Sequence, residues 1–376
     1  MEEIKSKKVV VCGGGVIGVC TAFFLSRKGA AVTLVEETAI ACAASGKAGG
    51  FLALDWCDDG PLGHLARASF HLHRTLADEL NGPTSYGYRP LSAFSLTLTD
   101  SDQSKPVSRK KDTAPSWVDG PYRSVKQIGS TETTAQVHPR FFTQKLLDTA
   151  VESYGVEVTI AKVEAIEVDP VTKRVASVVL STGKRISADA VVLALGPWSG
   201  QMSMLSEFEV YGQKAHSIVV EAEESSAITG DALFVKYDCG KGEESEAEVY
   251  PRSTGEVYLC GESKRDTVPE NAGEVAVEEE AVGLLKRVAG AVSRKLGAVI
   301  VEQACFLPYT DDGLPLIGEL DGVGGCYVAT GHGCWGILNG PATGAAVAEL
   351  VLHGRSEILD LSVFSPARFL NKSSKG

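Results

Sequence analysis

The residues whose types and spacing can do chemistry gather first at Gly13-Gly14-Gly15-Val16-Ile17-Gly18, with an acid, Glu36, beyond them. Gly13 permits a tight turn, Gly15 lets the backbone approach a pyrophosphate, and Gly18 lets a helix lie close on a strand. A helix starting here presents unpaired N–H groups and a partial positive charge to phosphates. Glu36 can accept hydrogen bonds from both hydroxyls of an adenosine ribose. An acid there disfavours a 2′-phosphate and hence NADP, whereas NAD and FAD both fit. Val16, Ile17 and Glu37 flank these positions and join the candidate cofactor contacts.

The elements that must hold those groups can be read on either side. Lys8-Val9-Val10-Val11-Cys12 is a short apolar run of the kind that forms a buried parallel strand. From Val16 to Lys28 the apolar residues Ile17, Cys20 and Phe24 recur at helical spacing, and Gly29 stops the helix. Ala31 to Glu36 reads as a second strand ending in the acid, with Ala22 and Val32 completing the pattern. Together they make a strand–turn–helix–strand unit.

Two further glycine corners bear on the cofactor. Ala43-Ala44-Ser45-Gly46-Lys47-Ala48-Gly49-Gly50-Phe51-Leu52 is small and rich in hydrogen-bonding groups. Ser45, Gly46, Lys47, Gly49 and Gly50 could follow a pyrophosphate and ribityl chain, or form a plain loop. Ile186 to Leu195 reads as a buried strand that breaks at Gly196-Pro197-Trp198, where glycine lets another backbone pass closely. Gly325 to Thr330 reads as another strand, breaking into Gly331-His332-Gly333-Cys334-Trp335-Gly336-Ile337 before a helix expected to begin near Asn339 to Pro341. A corner of that kind aims N–H groups at one spot, such as the flavin edge where negative charge gathers on reduction. Strands ending in glycine at three distant places favour a long cofactor threaded across one domain, hence FAD.

On these motifs the chain resembles the D-amino-acid oxidase, glycine oxidase and sarcosine oxidase superfamily of FAD-dependent oxidoreductases. Gly13 to Glu36 matches the nucleotide motif, and Ala44-Ser45-Gly46 with Gly49-Gly50 matches the flavin loop. Val137-His138-Pro139 opens a similar helix through Phe142, Leu146 and Ala150. Val158 to Val163 matches the strand whose valine, here Val163, turns its backbone to the adenine. Val191 to Trp198 fits the family's glycine corner, and Tyr250-Pro251-Arg252-Ser253-Thr254 through Gly261 fits a substrate-domain hairpin. Asp312-Gly313-Leu314-Pro315-Leu316-Ile317-Gly318 and Gly331 to Ile337 fit the C-terminal pair.

The fold this resemblance implies is α/β. A Rossmann-like FAD-binding domain of the glutathione-reductase type carries an inserted antiparallel-sheet substrate domain. The expected FAD domain comprises 1–57, 137–212 and 300–376, and the substrate domain 58–136 and 213–299. The chain's 376 residues are too many for one simple core. Short alternating strands at 86–99 and 207–262 suit an antiparallel sheet. Ala281 to Leu296, with Leu284, Leu285, Val288, Val292 and Leu296 on one face, suits a helix covering it. The polar stretch Asp100 to Gly120 reads as a surface loop or lid, and its Arg109-Lys110-Lys111 as a solvated face. The acidic run Glu243-Glu244-Ser245-Glu246 is read the same way.

Composition excludes several function classes. A net charge of −12 argues against a general nucleic-acid binder, and no apolar run is long enough to span a bilayer. Nine cysteines without a C-x-x-C pair indicate neither a disulfide framework nor a metal site. The N-terminus runs straight into a strand and the C-terminus lacks Ser-Lys-Leu, so the expected location is the cytosol.

The resemblance implies oxidation of a small amine or amino-acid-like substrate, with hydride transfer to flavin N5 and electrons passing on to oxygen or another acceptor. The cofactor carries the chemistry. Relatives place an arginine before the proline of the segment ahead of Asp-Gly-x-Pro, where it grips the substrate carboxylate. Here that segment is Cys305-Phe306-Leu307-Pro308, with Leu307 in the arginine's place. Either the substrate lacks a carboxylate or another cation, such as Arg252, holds it. Cys305 suggests covalent flavin attachment in a second reading, with a buried thiol and non-covalent FAD as the first. His332 is a candidate to polarise substrate or flavin, although in this motif the backbone does most of the work. Trp335 is expected against the ring system. Two other functions stay open: a hydroxy-acid dehydrogenase with an acceptor other than oxygen, and a flavin-binding regulatory or trafficking protein without turnover.

Overall fold

The computed structural model describes residues 6–99, 113–223, 227–240 and 243–370. The Arg109–Lys111 run lies outside the described residues.

Strand Lys8–Cys12 pairs in parallel with Ala31–Glu36 on one side and Ala190–Leu193 on the other. Glu157–Ile160 extends the sheet beyond Ala31–Glu36, and Cys326–Thr330 extends it beyond Ala190–Leu193. An antiparallel edge strand, Leu316–Glu319, completes six strands. The central strands are apolar throughout because both faces are covered. Helices Val16–Arg27, Pro139–Tyr154 and Gly336–His353 pack on one face. A three-stranded antiparallel sheet, Val163–Val168, Val175–Leu180 and Arg185–Ser187, covers the other. Helix Val16–Arg27 is buried from Val16 to Ser26 except at Ile17, since it lies between the sheet and two other helices. This is the Rossmann-like FAD-binding fold.

The stretch Ile186 to Leu195, read as one strand, is two. Arg185–Ser187 belongs to the covering sheet, and the chain turns at Ala188-Asp189 to enter the central sheet at Ala190. Asp189 fixes the turn by accepting the Lys8 N–H at 2.8 Å.

The C-terminal helix also departs from expectation. It begins at Gly336, not near Asn339, and carries Pro341 inside it. Proline supplies no N–H, so the Ile337 carbonyl lacks its helical donor. Helix Gly63–Glu79 repairs the break: His73 Nε2 meets Ile337 O at 2.9 Å, and Ser69 Oγ accepts the Ala342 N–H at 3.0 Å. Ser69 and His73 are one helical turn apart and serve consecutive gaps in the same ladder. This explains why Gly63–Glu79, expected in the substrate domain, packs in the core of the FAD domain.

The second domain is a seven-stranded sheet in the order Leu296–Tyr309, Tyr211–Ala222, Glu256–Asp266, Glu243–Pro251, Ala232–Gly240, Ala93–Thr99 and Tyr122–Gly129. All neighbours are antiparallel except Ala232–Gly240 and Ala93–Thr99, which run parallel. Helix Glu279–Val292 seals one face with Val282, Leu285, Val288 and Val292. It stops short of Leu296, which opens the strand that follows. Tyr211–Ala222 and Leu296–Tyr309 pair along their length, so the expected boundaries at 212/213 and 299/300 fall inside this ladder. The acidic run Glu243 to Glu246 opens a strand, and Glu244 and Glu246 are exposed on it, a solvated face as expected.

Candidate functional site

A cavity of about 610 Å³ runs from the Gly13–Gly18 turn to the edge of the seven-stranded sheet. At one end, Gly13 adopts φ +115°, and a Cβ there would stand 2.2 Å from Ala194 O. A Cβ on Gly18 would stand 1.9 Å from Gly13 O, so Gly18 packs the helix beneath the turn and does not line the cavity. Gly15 differs. Its backbone is unstrained, and a Cβ would meet only Ser45 Oγ, at 3.1 Å. The Ser45 hydroxyl accepts the Val16 N–H at 2.9 Å and so caps the helix.

Glu36 stands at the end of its strand, as its spacing predicts. Its carboxylate accepts the Gly14 N–H at 2.7 Å and the Thr38 N–H at 2.9 Å. The Cys42 thiol makes a third, weaker approach at 4.0 Å, and of a carboxylate's about four acceptor sites at least one remains for a ligand. Val163 lines the cavity near Glu36 and Glu37, and Lys162 pairs with Glu37 at 3.8 Å on the rim.

The corner at Gly196 has φ +55° and open space where a Cβ would be. Two hydroxyls pin it: Ser199 and Thr330 each donate to Gly196 O, at 2.7 and 3.1 Å. Sequence reasoning missed both, although Ser199 sits one residue beyond Trp198. The Trp198 indole lines the cavity and donates to Pro269 O at 2.9 Å.

The last corner brings His332, Gly333, Gly336 and Ile337 to the wall, facing Leu307 and Pro308. The His332 side chain is 5% exposed, and its Nε2 meets Thr343 Oγ1 at 3.0 Å. Burial pushes its pKa down to about 3, so the ring is neutral at physiological pH. Nδ1 has no protein partner. Trp335 packs on the FAD-domain core instead of lining the cavity.

Several expected contacts lie behind the wall. A Cβ on Gly46 would strike Ala41 O, one on Gly49 the Tyr250 ring, and one on Gly50 Val137 O. Gly331 packs on Thr310, and Lys47 donates to Ala304 O at 2.9 Å. Arg252 is 9% exposed and does not line the cavity; its two terminal nitrogens are engaged elsewhere, while its Nε has no partner among the described residues. It pairs with Glu256 at 2.9 Å, donates to Ala48 O at 3.3 Å and lies over the Tyr258 ring at 5.1 Å. It clamps the substrate sheet to the flavin loop and is not placed to hold a substrate carboxylate. Cys305 is buried outside the cavity wall, and burial pushes its thiol up to about 11.

The cavity fits FAD. Its volume is that of a cofactor site. Glu36 offers a spare acceptor at one end, a capped helix N-terminus lies beside it, and backbone corners with room around them line the rest. The buried Nδ1 of His332, at the far end, has no hydrogen-bond partner among the described residues. Among the described residues no group of side chains could hold a metal, and no helix is long and apolar enough to cross a membrane.

Fold and site together define an FAD-dependent oxidoreductase. The family model described as FAD dependent oxidoreductase (DAO) matches residues 8–350, and the chain belongs to that family. It is 30% identical to the Schizosaccharomyces pombe protein C1F5.03c, named as an oxidoreductase, over 96% of this chain and 98% of that one. It is 26% identical to glycine oxidase of Geobacillus kaustophilus, over 97% of each chain. Among solved structures, glycine oxidase of Geobacillus kaustophilus superposes with a TM-score of 0.77 at 24% identity, covering 96% of this chain and 98% of that one. L-proline dehydrogenase from P. horikoshii superposes equally well, with a TM-score of 0.77 at 17% identity and 98% coverage of both.

Proposed function

We propose that the protein binds FAD non-covalently and oxidises a small amine or amino-acid-like substrate, with oxygen as electron acceptor. The observation carrying this reading is that Gly15, Ser45 and His332, which are far apart in sequence, border one cavity. In it, Glu36 holds the adenosine ribose, and Val163 offers its backbone to the adenine. The N-terminus of Val16–Arg27 receives the pyrophosphate. The backbone from His332 to Ile337 faces the flavin ring, and neutral His332 braces that corner through Thr343. Leu307 and Pro308 shape the apolar side of the substrate space.

When bound, the isoalloxazine would take a hydride at N5 from the carbon bearing the nitrogen, the N–H proton leaving as the imine forms, and pass both electrons to oxygen. The side chains at the wall supply orientation and exclude water. Hydride transfer takes place from the neutral amine, so a substrate that arrives as an ammonium gives up its proton before it reacts.

Anaerobic mixing of the purified protein with a panel of amines, amino acids and hydroxy acids tests this reading. Bleaching by a nitrogen compound, followed by peroxide on admitting air, is the expected result. Bleaching by hydroxy acids alone, or reoxidation by a dye but not by air, would favour a dehydrogenase. A flavin that stays oxidised throughout would favour a binding protein without turnover.

A further inference from the structure

Strand Glu243–Pro251 lies at the centre of the seven-stranded sheet. Ala247 and Val249 face the covering helix, so Glu248 and Tyr250 turn to the opposite face, toward the FAD domain. There Glu248 stands across from Phe234 on one neighbouring strand and Cys260 on the other. Its Oε2 accepts the Tyr250 hydroxyl at 2.6 Å and lies 3.4 Å from Cys260 Sγ. Among the described residues no lysine, arginine or histidine pairs with it.

This face lies just behind the cavity wall, packed on the loop that ends at Phe51, and Glu248 on it stays partly accessible. Phe51, at the end of the flavin loop, stacks on Tyr250 with centroids 5.6 Å apart and planes 4° from parallel. Cys334 lines the cavity, and its thiol is pushed up by burial and further by the charge of Glu248. Leu307 occupies the place expected for a carboxylate-binding arginine. The one lysine or arginine lining the cavity among the described residues is Lys162, at the adenine end. Lys47 is turned to Ala304 O and Arg252 to Glu256. Beyond the Leu307 and Cys334 end of the cavity there is thus a partly accessible acid, Glu248, with no cation paired to it.

We infer that Glu248 anchors the cationic group of the substrate, so that the enzyme selects amines that carry no α-carboxylate. The inference rests on the amine-oxidising reading above and narrows it. A carboxylate drawn from water into such surroundings is unfavourable unless a partner arrives. Burial accordingly pushes the Glu248 carboxyl up. A docking ammonium supplies that partner, and the rings of Phe51, Tyr250 and Phe234 suit a cation as well. An amino acid would bring its own carboxylate against Glu248 with nothing to neutralise it, which is discrimination by repulsion.

The test uses the flavin-loaded protein and two ligands of matched shape, tert-butylamine and pivalate. Neither has a hydrogen on the reacting carbon, so binding is read without turnover, by calorimetry and by the flavin difference spectrum. The amine should bind and pivalate should not. Glu248→Gln, which keeps an acceptor for Tyr250, should weaken the amine by roughly tenfold or more, as loss of a charged hydrogen bond does. Pivalate binding as well as the amine, failure of the amine to bind, or an unchanged affinity in Glu248→Gln would each overturn the inference. If Glu248→Gln loses its flavin, the wild-type comparison of cation with anion still decides. The outcomes also separate the two proposals. Glu248-dependent amine binding without bleaching by any amine would sink turnover alone. Bleaching by amino acids with pivalate bound would sink the Glu248 anchor alone.

Discussion

Replacing Gly15 by alanine separates folding from cofactor binding within a single turn. Gly15 has φ −75°, so alanine adopts its backbone without strain. The new methyl meets only Ser45 Oγ at 3.1 Å, a contact that a small rotation of the serine relieves at the expense of its cap on Val16. Weakening that cap costs about 0.5–1 kcal/mol of stability. The methyl also stands on the cavity wall where phosphate oxygens must reach backbone N–H groups. Forcing them back loses one or two charge-assisted hydrogen bonds at about 1.5–3 kcal/mol each. Taking 3 kcal/mol, FAD affinity falls roughly 100-fold while the apo-protein stays folded. Gly13→Ala and Gly18→Ala, whose methyls would collide with backbone at 2.2 and 1.9 Å, should damage the apo-protein itself. Urea denaturation of the apo-proteins and titration of FAD by fluorescence quenching give the two quantities. A Gly15→Ala protein that binds FAD within about threefold of wild type would refute placing the phosphates at this turn.

Three other outcomes follow from the structure. Burial pushes the His73 pKa from 6.5 down to about 4, so unfolded chains take up its proton first as pH falls. The associated stability, about 3 kcal/mol, is present above pH 6.5 and lost between 6.5 and 4. His73→Gln, which keeps a donor for Ile337 O, should flatten that slope in denaturation measured across this range, and an unchanged slope would speak against a buried neutral histidine. Arg252→Ala leaves Glu256 unpaired and unties Ala48, and should cost about 2–4 kcal/mol by chemical denaturation. A loss under about 0.5 kcal/mol would mean the clamp carries no strain between the domains. Acid precipitation should release free flavin from wild type and from Cys305→Ser alike. Flavin retained on the wild-type peptide but not on the variant would instead establish a thioether at Cys305.

Much of the FAD domain was legible because its chemistry is local. The Gly13–Gly18 turn and Glu36 are separated by one helix, and the apolar run at Lys8–Cys12 reflects burial on both faces. What could not be read depended on contacts between distant segments. A glycine required by a ligand looks the same in sequence as one required by a neighbouring ring. Gly49, against Tyr250, is of the second kind. Pro341 appeared to mark a helix start because nothing local reveals that Ser69 and His73 make good its missing hydrogen bonds. Arg252 could be recognised as a cation but not as one already paired. Glu248 carried no signal at all, since only strand pairing across Phe234 and Cys260 sets it on the face turned toward the FAD domain.

The central claim is that one long cavity grips an FAD molecule from Glu36 to His332. A crystal structure of the protein as purified, with its bound small molecule extracted and weighed, tests this most directly. The expected occupant is FAD, with its ribose on Glu36, its phosphates at Gly15 and its ring against the His332–Ile337 backbone and Leu307. Another nucleotide in that density, or FAD lying elsewhere on the chain, would contradict it.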